Sequence, residues 1–397
     1  MVNEKKIKIF TASSVGIDYF FFLGKTIGLN GTEVEPIFLI TEKDYRALAK
    51  TSGLKKIYLR IQMYIFYPIY LMYKAIRSPR NSIFIVSSNT FYAPLLTKIA
   101  VFWKKTKVIH LLYDLFPDAI EVAGSIKLNG LLSKAIGLLS KGNFKYCDGT
   151  VYLGNFLKQH AESRWGKALH HQAIHISTDL SLYDNDFPVL QNFEKIIIHY
   201  GGQLGHLHDA KSIIACIKHI LESDLKDRFE FNFYVSGAQA SFLEKSLEGL
   251  PIRIIPAVPS NVWRQDIKNY HIGLVTLSPG GSTVCLPSKT YGMMAGGLSI
   301  LAVCPNWSDL AILINENNAG WIVSNSPYMQ PSSLNYLQSI NEVRNFDEIK
   351  HDFYKTLKGI VTNIETLKVR RKNAFESVRT KFNAVTLNKQ WLSFINK

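Results

Sequence analysis

Residues Ile196–Asp209, IIIHYGGQLGHLHD, decide the fold. Three isoleucines open an extended run, two glycines break it, and Asp209 stands where a helix can start. A strand that enters a glycine-rich turn and leaves as a helix is the building unit of a doubly wound sheet. At such a turn Gly202 and Gly205 let backbone N–H groups face a ligand, and helix starts of this kind take phosphate. Gln203 and His206 lie in the turn, and His206, His208 and Lys211 can add positive charge. A tight strand-to-helix loop with no ligand uses the same glycines, so both readings stand at this level. No carboxylate–histidine motif accompanies the histidines, and no metal is expected.

The same alternation runs in both directions from this stretch. Before it, strands are expected at Ile7–Thr11, Val34–Ile40, Ser82–Ser87, Val108–Leu112, Gly149–Leu153 and Ala173–Ile176, with helices near 16–29, 58–78, 91–104, 128–142 and 154–163. After it, strands are expected at Lys195–Tyr200, Glu230–Val235, Ile252–Ile255, Ile272–Leu277, Ser299–Val303 and Gly320–Val323, separated by helices near 208–222, 239–248, 261–269, 288–296 and 307–316. The count gives an α/β protein of two Rossmann-like domains with a cleft between them. Residues 1–178 form the first domain and 195–370 the second. The acidic, aperiodic stretch 179–194, with Pro188, is the expected linker. A helical tail, 371–397, is expected to pack back on the first domain.

A second chemically marked element is Ser278–Lys289, SPGGSTVCLPSK. Gly280 and Gly281 permit close backbone approach, Ser282 and Thr283 bring hydroxyls, and Ser288 and Lys289 sit at a helix start where a lysine can meet a diphosphate. Small residues follow as far as Gly297, which suits a helix packed close to a sheet.

Composition narrows the partners. The chain has a formal charge of +15, and 47% of its 397 residues are hydrophobic. Residues 1–180 hold 24 Lys and Arg against 12 Asp and Glu, whereas the remainder holds 22 against 19. No nucleic-acid-binding motif goes with this charge, so no nucleic acid is expected as a partner. The stretch Ile61–Tyr73, IQMYIFYPIYLMY, has 13 uncharged residues between Arg60 and Lys74. It is too short to span a bilayer and is interrupted by Pro68, but tyrosines bracketed by cations suit an anionic membrane surface. A buried helix is the competing reading. Four scattered cysteines without C-x-x-C spacing and no signal peptide fit a cytoplasmic protein, peripheral on the inner membrane face.

The order G-G-Q-L-G-x-x-H-D, V-S-G, P-S-K-T-Y-G-M-M-A-G-G, W-S-D-L-A-x-L-I and G-W-I-V resembles family 4 glycosyltransferases of the GT-B fold, of the bacterial capsule, O-antigen and exopolysaccharide type. In the first half the matching piece is His110–Asp118, HLLYDLFPD. The resemblance implies a retaining, metal-independent transfer of a hexosyl or N-acetylhexosaminyl group. The implied donor is a nucleotide-diphosphate sugar, expected to be a UDP-sugar, and no cofactor is required. The expected acceptor is a polyprenyl-diphosphate-linked saccharide or a similar precursor of cell-surface polysaccharide. It further implies that Ser288, Lys289 and Thr290, with the Gly202–Gly205 turn, meet the diphosphate. Gly281, Ser282 and Thr283 would face the donor sugar, Gly237 and Val258 would line the base, and Gly16 would reach the donor from the first domain. Asp114 is the expected catalytic residue, with a binding or polarising role, against its reading as a helix-cap or turn aspartate.

The chain departs from the family at three places. Many members carry two glutamates where Val284 and Gly292 stand, the second holding the ribose. The usual arginine of the glycine-rich turn is Gln203, and Gly297-Leu298-Ser299 replaces a common Gly-Arg-Pro. A non-catalytic nucleotide-sugar-binding partner subunit is therefore the first rival reading, and a nucleotide-sugar epimerase the second.

Overall fold

The computed structural model describes residues 7–47, 53–327 and 344–397. The chain divides into two compact units, Met1–Ile176 with Ala384–Lys397, and Ser177–Asn383.

In the first unit the strands are β1 (Lys8–Ala12), β2 (Val15–Gly16), β3 (Glu33–Ile37), β4 (Ile40–Thr41), β5 (Ile83–Ser87), β6 (Lys107–Leu112), β7 (Gly149–Tyr152) and β8 (His171–Ala173). Six of them form a parallel sheet in the order β3-β1-β5-β6-β7-β8, and β2 pairs with β4 beside it. Every residue of β5 is buried, as a parallel strand covered on both faces by helices requires. The small β2–β4 pair and the helices Glu42–Ala47 and Asp118–Val122 are absent from the sequence reading; each is too short to show a period.

The segment expected as one helix over 58–78 is a continuous helical run in three parts, Gly53–Ile61, a π-helical turn Gln62–Phe66, and Tyr67–Arg77. Pro68 has no N–H to give to the Tyr64 carbonyl four residues back. That carbonyl instead accepts from the Tyr92 hydroxyl, and the Met63 carbonyl accepts from Thr90 Oγ1 at 2.9 Å. The Tyr92 hydroxyl thus supplies the bond that the proline removes, Thr90 serves the neighbouring carbonyl, and the helical run continues unbroken. One face of it is core, with Leu59, Met63, Tyr67 and Leu71 buried, while Ile65, Phe66, Ile69 and Tyr73 are exposed.

The second unit contains β9 (Ile196–Gln203), β10 (Phe229–Ser236), β11 (Arg253–Pro256), β12 (Ile272–Thr276), β13 (Ser299–Val303) and β14 (Gly320–Val323). They form a parallel sheet in the order β11-β10-β9-β12-β13-β14. Strand order reverses between β9 and β12, and ligands of such sheets bind beyond the carboxyl ends of strands at that switch. β9 and β12 pair only at Ile198↔Ile272 and His199↔Gly273, whereas β9 stays in register with β10 as far as Gln203↔Ser236. The two central strands therefore part before their carboxyl ends. β9 is longer than the sequence suggests: Gly201, Gly202 and Gln203 belong to the strand, and the turn starts at Leu204.

Two expected boundaries differ. Residues 179–194 lie within the second unit: Arg371 Nη2 donates to the Pro188 carbonyl at 3.1 Å, and a Cβ on Gly297 would stand 2.5 Å from Pro188 Cγ. The tail divides at Asn383/Ala384, later than position 371. The helix Ile364–Thr380 remains with the second unit, packed on the helix Lys289–Ala295 and β13. The helix Ala384–Ile395 joins the first, where Asn388 Nδ2 donates to the Thr26 carbonyl at 2.7 Å and Trp391 is buried.

Candidate functional site

The carboxyl end of β9 is assembled from loops that hold one another. The Asp209 carboxylate accepts from the Ser212 N–H at 3.1 Å, capping the helix Ala210–Leu221, and also takes Asn325 Nδ2 at 2.8 Å and an ion pair from Arg344. Gln239 Nε2 donates to the carbonyls of Gly205 and His208 at 2.6 and 3.0 Å. Gly237 has φ of +104°, and a Cβ there would stand 3.0 Å from the Leu204 carbonyl oxygen. Ala257 N–H donates to the Val235 carbonyl at 3.0 Å, which sets Val258 just beyond the end of β10.

Four sequence expectations change here. Gly281 is expected to leave room for a ligand, but the space beside it belongs to Leu207: a Cβ would lie 2.1 Å from that carbonyl oxygen, and Ser278 N–H donates to the same carbonyl at 2.8 Å. Thr283 Oγ1 is spent on the Gly280 carbonyl at 2.7 Å, whereas Ser282 Oγ is buried without a partner. Ser288 precedes the helix Lys289–Ala295 but makes no side-chain cap bond. His208 contributes no positive charge, because its Nδ1 accepts from the Gly205 N–H at 3.1 Å and burial holds its pKa well below the ordinary histidine value.

Lys289 is the charged centre of this cluster. Its Nζ lies 3.6 Å from the centroid of the Tyr200 ring and 3.4 Å from the Gln203 carbonyl oxygen, with its Cδ against Gly202. Among the described residues no carboxylate pairs with it, and burial pulls the amine well below the usual lysine pKa. Thr290 Oγ1, next in sequence, is buried and unpartnered. The structure thus brings Gly202, Gln203, Gly205, Gly237, Gly281, Ser282, Thr283, Ser288, Lys289 and Thr290 to one end of one sheet, while His206 stands exposed on the turn.

Asp114 and Gly16 belong to the first unit. Gly16 sits in β2 with the Phe38 ring 3.1 Å from where a Cβ would stand, a packing reason for the glycine. Ser88 Oγ accepts from the N–H groups of Tyr113 and Asp114 at 2.9 and 3.1 Å and donates to the Asp114 carbonyl at 2.8 Å, fixing the backbone beyond β6. Burial raises the Asp114 carboxyl to about 6, and its charge is felt by Tyr45 and Tyr64. Asp114 caps no helix; the helix Asp118–Val122 is preceded by Pro117 and has no side-chain cap bond. Nearby Asp118 is spent structurally, on His160 Nε2, Arg164 Nη1 and Trp165 Nε1 at 2.8, 2.7 and 2.8 Å. His110 is buried, its pKa lowered to about 3 by desolvation, and stands neutral against Phe144.

Sequence reasoning passes over Trp263, His199 and Tyr183. Trp263 Nε1 donates to His199 Nε2 at 2.9 Å, and His199 Nδ1 bonds the Asn232 carbonyl at 3.0 Å. The indole lies against both Gly201 and Gly292, and the Tyr183 hydroxyl would be 2.8 Å from a Cβ at Gly292. Only the paired absence of side chains at Gly201 and Gly292 hinted at them. Among the described residues no cluster of His, Cys, Asp and Glu could hold a metal ion, and no helix is long and apolar enough to cross a membrane.

Two Rossmann-like units, each built on a six-stranded parallel sheet, define the GT-B fold. No family model matches the chain. A probable glycosyltransferase of Pseudomonas aeruginosa, WbjE, is 24% identical over 263 residues, which cover 61% of this chain and 60% of that protein's length. Among solved structures, Anabaena HepE in complex with UDP and glucose superposes with a TM-score of 0.65 at 11% identity, over 98% of this chain and 99% of that one. The α,α-trehalose 6-phosphate synthase of Burkholderia multivorans gives 0.61 at 10% identity over 98% and 96%. S. aureus TarM in a complex containing UDP gives 0.58 at 13% identity, over 83% of this chain and 58% of that one.

Proposed function

We propose that the chain is a retaining, metal-independent glycosyltransferase of family 4 type. It takes a UDP-sugar as donor and a lipid-linked saccharide of cell-surface polysaccharide synthesis as acceptor. The observation that carries this reading is Lys289: a desolvated amine at the β9/β12 switch, on the face of Tyr200, with no carboxylate partner among the described residues. An ammonium so placed is costly until an anion meets it, and a nucleotide diphosphate is the anion for which glycine-bearing strand ends leave room. Stabilising the departing diphosphate this way is electrostatic catalysis. The likeness to HepE and TarM, each solved with UDP, supports the donor class, and the likeness to WbjE supports glycosyl transfer. Asp114 is assigned to the acceptor, its carboxylate holding the attacking hydroxyl.

An acceptor on a lipid carrier calls for a membrane face, and the first unit offers one. The helices Tyr67–Arg77, Ala93–Ala100 and Leu131–Tyr146 pack in sequence, and on or next to them Ile65, Phe66, Ile69, Phe102, Trp103 and Leu138 are exposed. Residues 53–113 contain ten Lys and Arg and no Asp or Glu. Apolar residues set among cations suit the interface of an anionic leaflet, which supports a peripheral position on the cytoplasmic side of the inner membrane.

A thermal-shift screen of nucleotide-diphosphate sugars, followed by product analysis with lipid-linked acceptors, tests the reading. Stabilisation by UDP-sugars together with transfer supports it. Stabilisation without transfer across a broad acceptor panel would instead favour a donor-binding partner subunit, the role that the apolar Val284 and side-chain-free Gly292 leave open. No stabilisation by any nucleotide would refute both.

A further inference from the structure

The transfer chemistry proposed above makes no use of Trp263 or of the two glycines that admit it. The residue comes from the helix Ser260–Asp266, and its indole occupies the space between the end of β9 and the helix Lys289–Ala295. A Cβ at Gly201 would lie 2.3 Å from the indole Nε1, and one at Gly292 would lie 3.1 Å from Cη2. Both glycines are therefore the counterpart of this ring. Its N–H is committed inward to His199 Nε2 at 2.9 Å, and His199 is in turn held by the Asn232 carbonyl. With the polar edge satisfied within the unit, apolar ring surface is what the half-buried indole has left for a ligand.

The location of that surface decides its use. Gly292 follows Lys289 by three residues on one helix and so shares its side. Gly201 faces the indole and the adjoining Gly202 has the Lys289 Cδ 4.0 Å from where its Cβ would stand, so amine and indole lie against consecutive residues of β9. A diphosphate held at Lys289 carries its nucleoside one bond away, and an aromatic face next to a phosphate anchor suits a base or the apolar side of a ribose.

We infer that Trp263 is the platform on which the nucleoside of the donor lies, with the Tyr183 hydroxyl at its edge by Gly292. The inference rests on the reading of Lys289 as the diphosphate anchor. It also gives the absent acid at Gly292 a physical meaning: a side chain there would displace the ring and the phenol.

Calorimetric titration of the full chain with UDP and with inorganic pyrophosphate separates the platform from the anchor. The wild-type chain should prefer UDP. Trp263→Leu should weaken UDP binding by about tenfold and leave pyrophosphate unchanged, since stacking on an aromatic face is lost while the anchor stays. Trp263→Phe keeps a ring and should retain most of the preference; Gly292→Ala, which intrudes on the indole edge and Tyr183, should erode it. If Trp263→Leu does not fold, the last two variants carry the comparison. A folded Trp263→Leu chain with the wild-type ratio of affinities would overturn the platform, as would an equal loss for both ligands. A wild-type chain that binds pyrophosphate as tightly as UDP would also overturn it while sparing the anchor. Binding of neither ligand would sink the reading of Lys289 itself.

Discussion

The Lys289 amine rests 3.6 Å from the centroid of the Tyr200 ring, so the cation that opens the helix Lys289–Ala295 sits on an aromatic face of β9. Tyr200 is fully buried and its hydroxyl is spent on the Gln203 carbonyl at 2.8 Å. The ring therefore offers Lys289 only its π face, a weak partner for a desolvated charge. An incoming anion has most to gain at such a place, and the cost of holding the amine ready is carried by the folded chain.

Removing that amine should separate binding from stability. Lys289→Ala is expected to raise the Kd for UDP by about tenfold to a hundredfold, since hydrogen bonds to charged groups contribute roughly 1.5–3 kcal/mol. The melting temperature without ligand should stay level or rise, because a half-buried amine with no carboxylate partner among the described residues is lost. Calorimetry with UDP and a melting curve of the same preparation check both; unchanged affinity would remove Lys289 from the site.

Proton linkage tests the same group independently. Burial holds the free amine's pKa down, and a bound diphosphate favours the ammonium. UDP binding should then be accompanied by proton uptake. The uptake should appear as pH rises through the depressed pKa of the free amine and fade again above the pKa of the bound one. Titrations in buffers of different ionisation enthalpy measure it, and it should vanish in Lys289→Ala. Proton release in the wild-type chain would contradict the assignment.

The strands were legible in the sequence because parallel strands covered on both sides are written as unbroken apolar runs: β5 and β13 are buried at every position and fall within a residue of where those runs put them. The glycines were legible as glycines but not as to purpose. Gly281 reads as an opening toward a ligand, yet its space is filled by the Leu207 carbonyl from 74 positions earlier in the chain (281 − 207), a contact that no local pattern encodes. Trp263 was illegible for a related reason: an aromatic in a short helix is ordinary until two distant glycines are found to face it. Lys289 stands out in the sequence because its proline, serine and helix start lie beside it. Local chemistry could be read; chemistry assembled by the topology could not.

Asp114 should reveal itself through pH. Its carboxyl titrates near 6 in the folded chain against an ordinary 3.8, because burial disfavours the charged form. Between those values the folded state binds more protons than the unfolded state, so this group lowers stability as pH rises from about 4 to about 6 and stays constant above. Asp114→Asn should therefore melt higher than the wild-type chain at pH 7, with the gap closing toward pH 4, while transfer activity falls steeply. Equal melting at both pH values would mean that the carboxylate is solvated.

The two loops joined at Gly281 predict opposite outcomes for two alanine substitutions. Gly281→Ala sets a methyl against the Leu207 carbonyl and should cost about 2 kcal/mol or more, as overpacking of a tight site does, with weaker UDP binding as the β9 turn shifts. Gly359→Ala, on the exposed side of the helix Phe346–Thr362 with nothing within 4 Å, should instead stabilise by about 0.5–1 kcal/mol. Denaturant melts of the two variants settle the contrast, and a neutral Gly281→Ala would show that the loops are not braced on each other.

The exposed face of the first unit is the remaining test, and it turns on charge and apolar surface acting together. Ile65, Phe66 and Ile69 project from the π-turn and the helix after it, with Arg60 and Lys74 on either side in sequence. Headgroup attraction alone is screened by salt, whereas apolar insertion is not. Serine at all three positions should reduce co-sedimentation with anionic vesicles on the order of tenfold and make the residual binding more salt-sensitive, with the melting temperature little changed because the three side chains already face solvent. Binding of the wild-type chain to neutral vesicles should be weak. A folded triple variant that still co-sediments as the wild type does would remove this face from the acceptor reading, and equal binding to neutral and anionic vesicles would remove the cations from it.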